Sequence, residues 1–399
     1  MHAVGYLSRV IAAVVWCTAF GADYATRAEG PPLRFGMSTT LTGPASDLGH
    51  AMRDGVRAAF DEQNRVGGIR GRQLELIVLD DGYEPARTAP NMRRLIEAED
   101  VLAVVGNVGT PTAVVAIPIA NETGTPFVGA FTGAGVLRKS PPDRYVVNVR
   151  ASYAQETAAM VEALIASGIR PDEIGFFTQR DAYGAAGLTY GIAALERHAP
   201  GVGRNLALGS YERNTLAVEG ALADLLSHRP EPKAVIMVGA YAPCARFIQV
   251  ARDVGFEPRF LNVSFVGAKS LARELGDAGN GVVITQVVPH PDSDAPIAAA
   301  AAKALRLERG DLGFGALEGY AVGRMTILAL ERIRGEISRE TLIVALESLG
   351  TFDLGLGTPL NLSAQRHQAS DQVWPTVIRA GRVQATTWPE ALRGEEAPQ

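Results

Sequence analysis

The sequence predicts an α/β protein of two similar lobes, each a parallel sheet flanked by helices. Two observations carry this. Short β-branched or apolar runs alternate with longer helical patterns from end to end, the pattern of βαβ units with right-handed crossovers. The alternation also comes in two series, one closing near residue 149 and the next opening near Ala151. At 399 residues the chain has the length of two or more ordinary domains.

The first series opens with a strand over 33–38. An amphipathic helix over 47–64 follows, with Met52, Val56, Ala59 and Phe60 on one face, stopped at Gly67-Gly68-Ile69-Arg70-Gly71. A strand over 74–79 leads to a helix over 85–98. The fully apolar run 101–105 suits the middle of a parallel sheet. A helix over 111–123 and strands over 126–130 and 145–149 complete the series. The second series reads as helix to about 167, strand 174–178, helix 184–197, strand 205–209, helix 215–227, strand 234–238 and helix 243–254. Beyond Gly281 come a strand over 282–286, helices over 294–306, 315–334 and 339–350, and a last strand over 373–377. No short repeat and no low-complexity linker interrupts this order, so the lobes must be joined by ordered crossings.

Residues 1–28 read as a secretory signal: Arg9, an apolar run from Val10 to Trp16, then small residues up to Thr26-Arg27-Ala28. The run is too short to span a bilayer. Trp16 before Cys17 is a poor lipoprotein signal, so soluble export to the periplasm is expected. Cleavage would move the net charge from −5 to −6 by removing Arg9, Arg27 and Asp23. That balance, with no Lys/Arg run, argues against a nucleic-acid partner. It would also leave Cys244 as a lone thiol, expected to be buried and inert.

Ligands of open parallel sheets sit at the carboxyl ends of the strands. After 101–105 come Thr110 and Pro111, which read as the cap and first residue of a helix whose free N–H groups favour a carboxylate. An ordinary helix cap has the same appearance. After 126–130 come Phe131, Thr132 and Gly133, an aromatic wall and a turn that lets backbone approach a ligand. Two second-series strands each deliver a tyrosine, Tyr183 and Tyr241, able to stack and to hydrogen-bond. Catalytic motifs are missing, the six histidines are scattered, and no cofactor or metal site is expected. Asp80-Asp81 ends a strand, where adjacent residues face opposite sides, so acid/base work by the pair is not expected.

The chain resembles the periplasmic branched-chain amino-acid-binding proteins, the type I solute-binding family of ABC importers. The matching pieces are Thr42-Gly43-Pro44-Ala45, Asn64 with Gly67-Gly68-Ile69 and Gly71, Asp80-Asp81 with Glu84-Pro85, Val104-Val105-Gly106, Asp181-Ala182-Tyr183-Gly184, Ala251–Phe256 and Glu318-Gly319-Tyr320. They keep their order from Leu33 to the last strand. The resemblance implies two Rossmann-like lobes joined by a three-crossing hinge, the type I periplasmic binding protein fold. It places lobe 1 at 33–149 plus 289–356, lobe 2 at 150–288 plus 357–392, and a frayed tail at 393–399. It also implies a monomer that hands one small ligand to an inner-membrane permease; a sensory role is the alternative, because fold alone does not decide function. Thr110, Thr132 and Gly133 fall on the family's carboxylate-binding segments. Tyr183 and Tyr241 fall on second-lobe contacts, and Leu48 on an apolar first-lobe contact.

Two departures matter. Ser264 stands where the amino-acid binders place the carboxylate that pairs with a ligand ammonium, and an unpaired buried cation is costly. Asp181 and Glu318 are the acids that could replace it. Tyr83 and Gly109 stand where a first-lobe disulfide is expected. An α-amino acid is therefore a weaker expectation than a small carboxylate, an aromatic acid or an amide.

Overall fold

A computed structural model describes residues 30–393. The leader expected over 1–28 and the tail from 394 onward lie outside the described residues. The first sheet is built from β1 (Leu33–Thr39), β2 (Leu74–Asp80), β3 (Ala103–Val105), β4 (Phe127–Val128) and β5 (Val146–Val147), in the order β2-β1-β3-β4-β5, all parallel. Between them run α1 (Ser46–Arg65), α2 (Pro85–Arg93) and α3 (Thr110–Thr123). Leu48, Met52, Val56, Ala59 and Phe60, spaced three or four apart, form the buried stripe of α1. The helix expected over 85–98 loosens into a wider turn over 94–98, one turn after Pro90 enters it and removes a backbone donor. The strands expected over 101–105, 126–130 and 145–149 keep only two or three paired residues each.

The second lobe follows with α4 (Tyr153–Ala166), closed at its start by a Ser152–Gln155 capping box. Then come β6 (Ile174–Gln179), α5 (Ala182–Glu196), β7 (Leu208–Tyr211), α6 (Glu219–Ser227), β8 (Ala234–Val238), α7 (Tyr241–Asp253), β9 (Arg259–Asn262), α8 (Ala268–Leu275) and β10 (Val283–Gln286). Sequence reading passed over β9 and α8. β9 is four residues long and starts on an arginine, yet it lies between β8 and β10 with Phe260, Leu261 and Asn262 buried. The fold needs it because it aims Ser264 at the interlobe space.

The chain then returns to the first lobe. α9 (Pro296–Leu305) and α10 (Phe314–Arg332) pack against α1, and α11 (Arg339–Glu347) packs against α10. A small ribbon of β11 (Gly350–Phe352) and β12 (Leu360–Leu362) follows. The chain stays at the first sheet's edge beyond the 356/357 boundary expected from sequence: Asn148 pairs with Gln368, and Ala369 N–H donates to Asn148 O at 2.9 Å. It crosses back into β13 (Trp374–Arg379), β14 (Arg382–Ala385) and α12 (Trp388–Ala391). β13 runs antiparallel to β10, so the second sheet, β14-β13-β10-β9-β8-β6-β7, is mixed and not wholly parallel. Three crossings join the lobes, near 148–152, 287–295 and 370–373.

Candidate functional site

The facing ends of the two sheets meet over a layer of buried side chains. Its first-lobe floor begins at Gly109 and Thr110. Gly109, with φ +101°, is the residue before α3, so Thr110 is the first helical residue and not the cap expected from sequence. The Thr110 hydroxyl is thereby released from capping. It lies 2.6 Å from the Thr132 hydroxyl, which in turn donates to Tyr153 Oη at 3.3 Å. Gly133 continues this turn and accepts from Tyr153 N–H through its carbonyl at 2.7 Å. Three neutral hydroxyls thus converge at the N-terminus of α3, where the helix dipole favours an anion. Burial pushes the Tyr153 phenol up to about 12, so it remains a donor.

The two positions that depart from the disulfide pattern meet each other. A side chain at Gly109 would reach within 2.1 Å of the Tyr83 ring, so glycine is what lets that ring lie over the start of α3. Tyr83 itself holds φ +62°, uncommon for a bulky residue. Its N–H donates to Asp81 Oδ1 at 2.9 Å, and Asp81 also receives Ser38 and Thr88 hydroxyls. Asp80 receives Leu41 N–H, the Thr42 hydroxyl, Gly82 N–H and Arg87. Those donors overrule a desolvation that would raise it and bring it down to about 2. The Asp80-Asp81 pair therefore shapes the loop that carries Tyr83.

From the second lobe, Phe265 fills the middle of the layer. Its ring centroid lies 4.6 Å from Tyr183, 5.5 Å from Phe131 and 5.9 Å from Tyr83, within the range of favourable aromatic pairs. Tyr183 also packs on Tyr153 at 5.4 Å. Burial pushes the phenols of Tyr83 and Tyr183 well above their ordinary value. Asp181, one of the acids expected to compensate for Ser264, is instead engaged with Tyr183 N–H, Gln179 and Arg213.

The compensation comes from residues that sequence reading missed. Arg150, at the first crossing, is 1% exposed and lies 4.8 Å over the Phe131 ring. One of its terminal nitrogens bonds Ser264 Oγ and sits 3.5 Å from Glu156 Oε1. Glu156, projecting from the first turn of α4, accepts from Ser264 N–H at 2.7 Å, Ser264 Oγ at 3.0 Å and Thr285 Oγ1 at 2.5 Å. A carboxylate therefore does sit at the Ser264 position, supplied by another helix and already facing an internal cation. Glu318, the other acid named from sequence, approaches Arg150 Nη1 to 3.6 Å, an ion pair without a hydrogen bond. Burial raises its carboxyl to about 7, with Glu156 adding to the push and Arg150 opposing it. For Arg150, burial pulls the guanidinium down, and Glu318 and Glu156 more than offset it. The sequence holds one signal for this cluster: an arginine directly after Val146-Val147-Asn148-Val149, six residues before a glutamate on a buried helix face.

Leu48 and Tyr241 stand at the rim. They come together at Gly267, where a side chain would collide with Leu48 at 2.5 Å, and the Tyr241 phenol lies against Ser46 and Asp47. A cavity of about 260 Å³ opens beside Leu48, Phe131, Ser264 and Gly267. Farther out, Asp47 accepts from Ser270 and Arg273 at 2.7 Å each, and Glu84 accepts from Arg213 and Asn214 at 2.8 and 2.7 Å. The lobes are thus closed on one another. Cys244 is buried at the start of α7, and desolvation raises its thiol. Among the described residues no His/Cys/Asp/Glu group could hold a metal ion, and no helix is long and apolar enough to cross a membrane.

This geometry coincides with sequence likeness over the same span. Residues 32–382 match the family model described as periplasmic binding protein. The chain belongs to that family. Its members are solute-binding proteins and not enzymes. The solved structure of a possible leucine/isoleucine/valine-binding protein from Rhodopirellula baltica SH 1 is 56% identical, with a TM-score of 0.89 over 92% of this chain and 100% of that one. A leucine-, isoleucine-, valine-, threonine-, and alanine-binding protein of Pseudomonas aeruginosa is 23% identical over 88% of this chain and 90% of its own length. The Leu/Ile/Val-binding protein homolog 7 of Brucella abortus is 25% identical, and the match spans 63% of each chain.

Proposed function

We propose that this chain is the periplasmic solute-binding component of an ABC importer, and that it holds one small carboxylate- or amide-bearing ligand between its lobes. The observation that carries the reading is the layer itself: the Thr110 and Thr132 hydroxyls, 2.6 Å apart at a helix N-terminus, face an aromatic cluster contributed by both lobes. Such a layer gives a ligand a polar anchor on the first lobe and an apolar wall built by both lobes. Closure then buries the ligand, and opening at the three crossings releases it to a permease. Phe265, packed among Tyr83, Phe131 and Tyr183, must turn aside as the ligand is admitted.

Isothermal titration of the full chain against amino acids, aromatic acids, aliphatic acids and short amides tests the reading. The expected outcome is saturable one-to-one binding by at least one compound, weakened by Thr110→Ala. A panel with no binder would remove the support for a transport role.

A further inference from the structure

We infer that Arg150 receives the ligand's carboxylate, and that the cleft takes monocarboxylic acids with an apolar or aromatic body and no α-ammonium group. The inference deepens the reading above and rests on it.

Three observations bear on it. First, Arg150 is 1% exposed, yet its Nε and Nη1 have no hydrogen-bond acceptor. Buried donors left unpaired are costly and rare, and a guanidinium is matched to carboxylate geometry. A hinge cation with a purely structural task would have its donors satisfied by the chain, as Arg138 does: it donates to Thr132 O, Ala134 O, Arg150 O and the Gln368 side chain. Second, the carboxylate at the Ser264 position is already spoken for. Glu156 accepts from Ser264 twice, from Thr285 once, and faces Arg150. A ligand ammonium brought to Glu156 would find its oxygens already bonded and the Arg150 cation beside it, and Glu318, a neighbouring carboxylate without a hydrogen bond, is paired with that same cation. Third, one face of the Arg150 guanidinium meets aromatic side chains. Phe131 lies under the guanidinium, Phe265 and Tyr183 stand beyond it, and Phe131 and Ser264, which both touch Arg150, also line the 260 Å³ cavity.

Glu318 completes the logic. Burial raises its carboxyl, and it comes no nearer than 3.6 Å to Arg150 Nη1, so the hydrogen-bonding place on that nitrogen is open. An incoming carboxylate takes that place.

The test compares leucine with 4-methyl-2-oxopentanoate, which has the same carboxylate and branched body but a ketone in place of the ammonium, with benzoate as an aromatic probe. Calorimetry of the full wild-type chain should show binding of at least one acid about 100-fold tighter than leucine, the scale of discrimination expected from an unpaired buried charge. Arg150→Met, checked for folding by circular dichroism, should lose about 100-fold in acid affinity, and Arg150→Lys should recover part of it. Leucine binding as tightly as either acid overturns the inference while leaving the binding-protein reading intact. So does an unchanged acid affinity in a folded Arg150→Met. If Arg150→Met does not fold, the wild-type comparison of leucine with its oxo analogue decides alone. Failure of every acid, amino acid and amide to bind brings down the cleft reading itself, and the inference with it.

Discussion

The polar groups of the cleft fall into two regions built on opposite principles. At the start of α3, Thr110, Thr132 and Tyr153 contribute neutral hydroxyls that bond one another and can trade partners when a ligand arrives. At the first crossing, Arg150, Glu156 and Glu318 are ionisable groups, each no more than 2% exposed, whose bonds are shared unevenly. Glu156 accepts three short hydrogen bonds, whereas Glu318 offers Arg150 only a 3.6 Å ion pair. The difference teaches that the hydroxyl region is adaptable and the charged region is committed. Its one uncommitted face, Nε and Nη1 of Arg150, marks where something else is meant to bind.

The largest expected effect follows from that commitment. Glu156→Ala takes from Arg150 the carboxylate that faces it beside Ser264, leaves Ser264 N–H without an acceptor and leaves Thr285 Oγ1 only Asn262 O at 3.4 Å. Removing one partner of a buried pair costs about 3–5 kcal/mol, read as a lowered midpoint in urea denaturation. Glu318→Ala should cost clearly less. Equal losses from the two variants would erase the distinction between the two glutamates.

Next comes pH. The Glu318 carboxyl is raised from 4.5 to about 7 in the folded chain by burial, with Arg150, Glu156 and Arg138 as the charges around it. A raised carboxyl contributes stability below its unfolded value and loses it as pH climbs through the folded value. Between about pH 4.5 and 7 the loss amounts to about 3 kcal/mol. Asp80, held down to about 2, works in the opposite sense at lower pH, so the difference between wild type and Glu318→Gln isolates the effect. Denaturation curves for Glu318→Gln should be flatter across that window; parallel curves would mean that Glu318 does not titrate there.

How much of this could be read from the sequence depends on whether a group's partner is local. Thr110 and Thr132 were legible because each follows an apolar strand, and strand ends are where α/β sheets present ligands. Tyr183 was legible for the same reason and sits in the aromatic layer; Tyr241 obeyed the same rule and came to rest at the rim against Asp47. Arg150 and Glu156 were not legible. Their partners are Ser264, Thr285 and Glu318, more than a hundred residues away and joined only by the crossings. β9, which positions Ser264, was lost because four residues beginning with Arg259 carry too little periodicity to register. The βαβ alternation was legible because it depends on neighbours in the chain; the last strand was legible too, but not its antiparallel direction, which is set by its distant partner β10.

The hydroxyl region supplies a smaller effect. Thr110→Ala removes one neutral donor while Thr132 retains Tyr153 as a partner. A carboxylate ligand should bind about 1–2 kcal/mol more weakly, seen by titration as an increase in Kd with little change in melting temperature. An effect as large as that of Arg150→Met would place the anion at α3 and reverse the ranking of the two regions.

The smallest effect belongs to the rim, outside both regions. Arg273 reaches across the closed lobes to Asp47 at 2.7 Å, but its side chain is 62% exposed. Exposed ion pairs contribute about 0.2–1 kcal/mol and are screened by salt. Arg273→Ala should therefore leave the unfolding midpoint almost unchanged and shift only the balance between open and closed lobes, because the contact joins one lobe to the other. The measurement is ligand dissociation rate by stopped-flow fluorescence, expected to rise a few-fold at low salt and to match wild type at high salt. A salt-independent change would mean that Arg273 works through its packing against Asp47 and Ser270 and not through its charge.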